Sequence, residues 1–116
     1  MGKQKKETAA TRKIRISINA HRNLNEITGY IAIVNKQPLN AIKVGDAIFK
    51  AIDHIASNPF AYKECEALPT KSKIYRRAVC LSWLIIYKIT TTEIIILGII
   101  HGSRKPSVIK SLKSVK

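Results

Sequence analysis

The run from Trp83 to Ile100 constrains this chain more than any other feature. It is almost wholly apolar, yet Lys88 and the polar group Thr90, Thr91, Thr92 and Glu93 break it. That interruption makes it a poor membrane span. Three threonines flanked by charges read instead as a hairpin connection between two buried strands, Trp83 to Ile89 and Glu93 to His101. The first is rich in aromatic and β-branched residues. The second is a near-continuous run of Ile and Leu, which implies a central strand covered on at least one face.

The cover must come from earlier in the chain. Leu24, Ile27, Tyr30 or Ile31, and Val34 fall at helical spacing and form one apolar stripe. Ser17 or Asn19 is placed to cap that helix, Gly29 weakens it, and Asn35 to Gln37 end it. Pro38 suits the first turn of a second helix. Ala41, Val44, Ile48, Ile52 and Ile55 carry that helix to a stop at Asn58-Pro59. The two form a helix hairpin. Ahead of them, residues 12–18 alternate, with Ile14, Ile16 and Ile18 on one side and Lys13, Arg15 and Ser17 on the other, as in a half-buried strand. Residues 59–73 read as a long loop, and Ile74 to Cys80 as a further strand. Pro106 opens a short basic segment with Val108, Ile109 and Leu112 on one side.

The order predicts an α+β fold, β-α-α-β-β-β. A mostly antiparallel four-stranded sheet carries a helix hairpin on one face, followed by a short basic C-terminal segment. The other face of the sheet is then free for a partner. Residues 1–11 are expected to be a disordered basic tail, 12–110 a single domain, and 111–116 a basic C-terminal tail.

At 116 residues the chain makes one domain, which excludes a two-domain enzyme. Two cysteines exclude a disulfide-stapled miniprotein, and Cys65 and Cys80 are expected to be free thiols. The charged N-terminus lacks the apolar stretch of a secretory signal, so a cytoplasmic location is expected. The formal charge is +14, where solubility alone asks for a magnitude of about 2–8. The excess predicts an anionic partner: nucleic acid, an acidic protein segment or a membrane surface. Both ends concentrate it. Lys3, Lys5, Lys6, Arg12, Lys13 and Arg15 oppose only Glu7, and Arg104, Lys105, Lys110, Lys113 and Lys116 oppose no acid.

His21, His54 and His101 are far apart and the cysteines form no CxxC pair, so no metal and no other cofactor is expected. Neither a phosphate-binding glycine loop nor a nucleophile elbow is present. Cations remain. Arg76 and Arg77 open one strand, and His101, Arg104 and Lys105 leave another. If the start of the second strand and the end of the fourth share one end of the sheet, these groups converge. Arginines there bind phosphate, and His101 is the group able to move a proton near neutral pH. An ordinary solvated strand end is the alternative.

The ordered series resembles the RelE/ParE superfamily of type II toxin–antitoxin toxins, also known as plasmid stabilisation proteins. It runs through Ile16-Ser17, Ala20, Leu24, Glu26-Ile27 and Tyr30-Ile31; Ile55 and Asn58-Pro59; Tyr75-Arg76-Arg77; Leu84 to Ile89; Ile94 to Leu97; and Ile99 with His101-Gly102-Ser103-Arg104. The resemblance covers residues 13 to 108. It implies a toxin neutralised by a cognate antitoxin, whose acidic, partly disordered segment lies over the sheet or the helix hairpin. A homodimer or a heterotetramer with the antitoxin are both open. RelE-like members cut mRNA on the ribosome without metal, and ParE-like members inhibit DNA gyrase. For the RelE-like activity the resemblance implies Arg77, His101 and Arg104 as catalytic residues. Leu84 stands where a third-strand arginine is usual, and Lys110 stands near the usual C-terminal tyrosine. ParE-like inhibition of gyrase, or a related non-nucleolytic action, is therefore placed first and the ribosome-dependent endoribonuclease second. Arg76, Lys105 and Lys110 are expected to bind phosphate or a partner. A non-toxic basic nucleic-acid-binding module, and a degenerate toxin kept for interaction, complete the readings.

Overall fold

β1 (Lys13–Ile16) is the first element of the computed structural model, which describes residues 12–116. The expected N-terminal tail, 1–11, lies outside the described residues. α1 (Ile18–Gly29) follows and continues through one π turn, Tyr30–Val34. Next come α2 (Pro38–Ser57), a 3₁₀ turn (Pro59–Ala61), β2 (Lys63–Glu64), β3 (Tyr75–Cys80), β4 (Trp83–Ile89) and β5 (Glu93–His101). α3 (Pro106–Lys110) and a 3₁₀ turn (Ser111–Ser114) close the chain. The sheet has five strands in the order β1-β5-β4-β3-β2. The four expected strands are present, and the two-residue β2 adds a fifth at the edge. Among the described residues only β1 pairs in parallel, with Lys13 opposite Glu93 and Ile16 opposite Ile96.

Ser17 ends β1 and caps α1. Its hydroxyl accepts from the Ala20 N–H at 3.0 Å and donates to the Leu97 carbonyl at 3.1 Å, so a buried side chain satisfies one orphan helix donor and one bulge acceptor. Ile18, expected on the strand's buried side, is instead the first helical residue and is exposed. β5 holds one more residue than β4 near Leu97, because Tyr87 faces Ile96 while Ile86 faces Gly98. Beyond this bulge β1 has ended, and α1 side chains take its place along the β5 edge. The Asn19 amide donates to the Leu97 carbonyl at 2.9 Å, and the Ile99 N–H donates to Asn23 Oδ1 at 2.9 Å. These asparagines, one helical turn apart, satisfy backbone groups that a strand would otherwise pair.

The hairpin packs as expected on one face. Ala20, Leu24 and Ile31 with Val44, Ile48, Ile52 and Ile55 meet Ala78, Ile85, Tyr87, Ile94 and Ile96. Each fully buried Ile contributes about 1.5–3 kcal/mol by its removal from water. The π turn rotates the end of α1, so Val34, expected on the buried stripe, is exposed. Lys36 then takes a left-handed φ of 56°. The Gln37 N–H closes back onto the Ile31 carbonyl at 3.0 Å, which ends the helix in a Schellman-like turn.

The other face is not free. Cys65, Leu68, Tyr75, Leu84, Ile86, Ile95, Leu97, Ile100 and Leu112 form a second core there, with Val108, Ile109 and Val115 against it. The segment 111–116, expected as a tail, brings Leu112 into that core, and Arg15 donates to the Lys116 carbonyl at 3.1 Å. Gly98 makes room: a Cβ there would stand 2.9 Å from Leu112 Cδ2 and 3.2 Å from Asn19 Nδ2. The sheet is thus sandwiched between helices and a C-terminal cover, which is what an unbroken run of Ile and Leu in β5 requires. Cys65 and Cys80 are free and buried, and burial pushes both thiols up from their ordinary value.

Candidate functional site

The expected convergence of Arg77 with His101 and Arg104 does not form. β3 and β5 both run antiparallel to β4, so they are parallel to each other. Tyr75 pairs with Lys88, which pairs with Ile95; Cys80 pairs with Trp83, which pairs with His101. The start of β3 and the end of β5 therefore lie at opposite ends of the sheet. Arg77 opposes Ile86, of the second core, while His101 opposes Trp83, which packs against the helix-side core. The two side chains leave opposite faces, with Cα atoms about 14 Å apart by strand rise and spacing.

Arg76 is committed to holding backbone. It donates to the carbonyls of Lys73 at 2.8 Å, Phe60 at 3.1 Å and Tyr62 at 2.8 Å. These bonds tie the 3₁₀ turn to β3. Tyr87 helps from beneath, its hydroxyl donating to the Pro59 carbonyl at 2.6 Å.

Arg77 lies in a cleft of about 460 Å³ on the second face, with Cys65, Glu66, Ala67, Leu84, Pro106, Ile109 and Lys110. Among the described residues its guanidinium has no side-chain hydrogen bond, which leaves its donors open to an anion. Lys110 of α3 brings a second cation to the same cleft. Leu84 forms part of the apolar wall where an arginine would supply a third. The cleft holds no histidine.

His101, Arg104 and Trp83 line a separate pocket of about 470 Å³ between the end of β5 and α1, with Asn23, Glu26, Ile27 and Tyr30. The imidazole Nδ1 is 2.8 Å from Ser103 Oγ and accepts from the Ser103 N–H at 3.2 Å. Its ring meets Trp83 edge-on at 6.3 Å. Arg104 is positioned by its N–H bond to the His101 carbonyl at 3.0 Å. Lys105, at the N-cap of α3, is exposed. The six expected residues are thus divided: Arg77 and Lys110 share one cleft, His101 and Arg104 share another, Arg76 is held by backbone carbonyls, and Lys105 stands at the surface.

One surface was not legible from the stripes. Ile33, Leu39 and Ile42 are 76%, 74% and 60% exposed, and Tyr30, Val34 and Phe49 are exposed beside them. Of these, Ile42 and Phe49 border a groove of about 560 Å³ between α1 and α2, lined also by Gly29, Ala32, Ala41 and Gly45. The signal was present as large apolar residues off the buried period of each helix. Large apolar side chains left exposed beside a groove are a feature of protein-docking surfaces.

Among the described residues, no group of three or more His, Cys, Asp or Glu is placed to hold a metal ion. No helix there is long and apolar enough to cross a membrane.

A family model described as the ParE toxin of the type II toxin–antitoxin system parDE matches residues 14–106. Among solved structures the chain is similar to one described as the chromosomal ParDE TA system from P. aeruginosa. The two are 18% identical with a TM-score of 0.65, over 79% of this chain and 97% of the other. At that identity the likeness shows a shared fold. No curated protein matches the chain.

Proposed function

This chain belongs to the ParE toxin family of type II toxin–antitoxin systems, and from that premise we propose that it arrests growth by inhibiting DNA gyrase, or by a related non-nucleolytic action, in the cytoplasm. The observation that carries this reading is the split of the cationic residues between the two faces of the sheet. The RelE-like site that the resemblance implies needs Arg77, His101 and Arg104 around one phosphate. Here Arg77 lies in the second-face cleft while His101 and Arg104 line a separate pocket against α1, so that set is not assembled.

The cognate antitoxin occupies the groove between α1 and α2 in this reading. The exposed Ile42 and Phe49 beside that groove are its anchors, and the +14 charge attracts an acidic, partly disordered segment. Ile42→Asp is expected to weaken antitoxin binding by about thirtyfold, as removal of a buried interface anchor does, with toxicity retained. A second reading, the RelE-like endoribonuclease, draws support from the open Arg77 donors beside Lys110 in the second-face cleft.

The test is induced expression with and without the neighbouring reading frame, followed by plasmid-topology gels, primer extension on mRNA and a purified gyrase supercoiling assay. Arrest with altered supercoiling and intact mRNA supports the gyrase reading. Arrest with cuts at codon positions overturns it in favour of the nuclease, and Arg77→Ala and Arg104→Ala then tell which cleft does the work. Soluble protein without arrest leaves a non-toxic basic binding module.

A further inference from the structure

Toward the end of the sheet that carries the Thr90–Thr92 turn, a further surface lies on the face opposite the Arg77 cleft, since Arg76 opposes Tyr87 of the helix-side core. There Phe60, in the 3₁₀ turn after α2, is 54% exposed. Two guanidiniums lie over its ring, Arg12 at 5.3 Å and Arg76 at 5.4 Å from the centroid. Both are fixed from behind. Arg12 donates through Nε to the Thr90 carbonyl at 2.7 Å, and Arg76 is held by the carbonyls of Lys73, Phe60 and Tyr62. Each guanidinium keeps unused N–H donors on its terminal nitrogens. The aromatic ring and the two cations therefore form a preorganised surface, not a flexible fringe.

A further cation stands beside them: Lys73, whose own carbonyl holds Arg76, is exposed. The carboxylates at this end are engaged: Glu93 pairs with Arg15 at 3.2 Å, and Glu64 accepts from the Thr70 N–H at 3.3 Å. An exposed ring carrying two guanidiniums has the two elements of single-strand recognition: a π–cation stack against which a base can lie, aromatic and guanidinium groups alike serving as stacking partners, and donors for the flanking phosphates. We propose that Phe60, Arg12 and Arg76 form a binding platform for single-stranded nucleic acid, with Lys73 contacting its phosphates. A duplex keeps its base faces stacked inside and offers this ring only its backbone. The platform thus selects single strands, independently of which target the toxin acts on.

The test is fluorescence anisotropy with the full-length protein, a labelled twelve-nucleotide oligothymidine and a labelled duplex of equal length. Phe60→Leu keeps apolar bulk and removes the π face. It is expected to weaken oligothymidine binding about tenfold and leave duplex binding unchanged, and Phe60→Trp is expected to restore the preference. Lys73→Gln tests the phosphate contact without touching the ring. It is expected to flatten the slope of log K against log salt by about 0.7 for each phosphate no longer neutralised. The control pair Lys43→Gln and Lys50→Gln, on α2, is expected to change neither slope nor preference. Three results overturn the platform: unchanged oligothymidine binding in Phe60→Leu, equal weakening in the α2 control pair, or displacement of the oligonucleotide by polyglutamate as effectively as by unlabelled oligothymidine. The second assigns binding to bulk charge, the third to an acidic peptide. Thermal unfolding of each variant establishes that the fold is kept.

Discussion

Gly98→Ala places a methyl group where the C-terminal cover meets the sheet. The new Cβ would stand 2.9 Å from Leu112 Cδ2 and 3.1 Å from Cδ1. Carbon atoms settle at about 3.5–4.0 Å, so the leucine must retreat by roughly 0.6–1.1 Å. It has little room to do so, being 5% exposed within the second core. The Asn19 amide, 3.2 Å from the same Cβ, is meanwhile held to the Leu97 carbonyl. Overpacking of this kind destabilises by about 1–3 kcal/mol. Leu112→Ala alone empties the site and is expected to destabilise by about 2–5 kcal/mol. In the double variant the alanine at position 98 grows into the space the leucine left, so the two effects partly cancel. Urea unfolding of the four proteins measures the cycle. Gly98→Ala is expected to destabilise by less than about 1 kcal/mol in the Leu112→Ala background. Equal destabilisation in both backgrounds would refute the assignment of Gly98 to the seating of Leu112 and would point to backbone preference instead.

Two further predictions concern buried and strained positions. Tyr87→Phe removes the bond to the Pro59 carbonyl and is expected to destabilise by about 1–3 kcal/mol in urea unfolding near neutral pH. Burial raises the Tyr87 phenol above its ordinary value, so the folded state favours the neutral form. The stabilisation is complete below the unfolded tyrosine pKa of about 10 and is lost as pH rises beyond it. The phenylalanine variant should therefore lack the part of the alkaline decline above pH 10, measured against wild type to subtract the decline that Cys65 and Cys80 produce at lower pH. Lys36→Gly relieves a left-handed φ of 56° and is expected to raise the thermal midpoint, by the equivalent of about 0.5–1 kcal/mol.

The strands β4 and β5 were legible because their apolar runs were bounded by turn residues, and the observed limits of Trp83–Ile89 and Glu93–His101 match the expected ones. The helices were legible through their 3.6-residue period, though the period carries no sign of the π turn that swings Val34 outward. The second core was not legible. Val108, Ile109 and Leu112 give one apolar side, but a short basic segment offers nothing to say what it covers. The expected convergence fails for a geometric reason: alternate strands of a meander run the same way, so Arg77 and His101 are placed apart by connectivity alone. The way Arg76 is held was not legible either, since its acceptors are backbone carbonyls, which no side-chain pattern reveals.

The parallel pairing of β1 with β5 joins residue 13 to residue 93, and it also sets the order in which the molecule can be made. The helix hairpin is complete long before the strand it must cover has been synthesised. Contacts this distant along the chain close late and slowly. The middle of the core is thus the last part of the sheet to leave the ribosome, and Leu112, which seals its far side, follows later still. A nascent chain ending at Thr92 is expected to lack a cooperative unfolding transition, and one observed there would sink the idea. On this account an unfinished toxin has no assembled sheet with which to act, and its apolar helix faces are open to an antitoxin, or to aggregation, before the fold is whole.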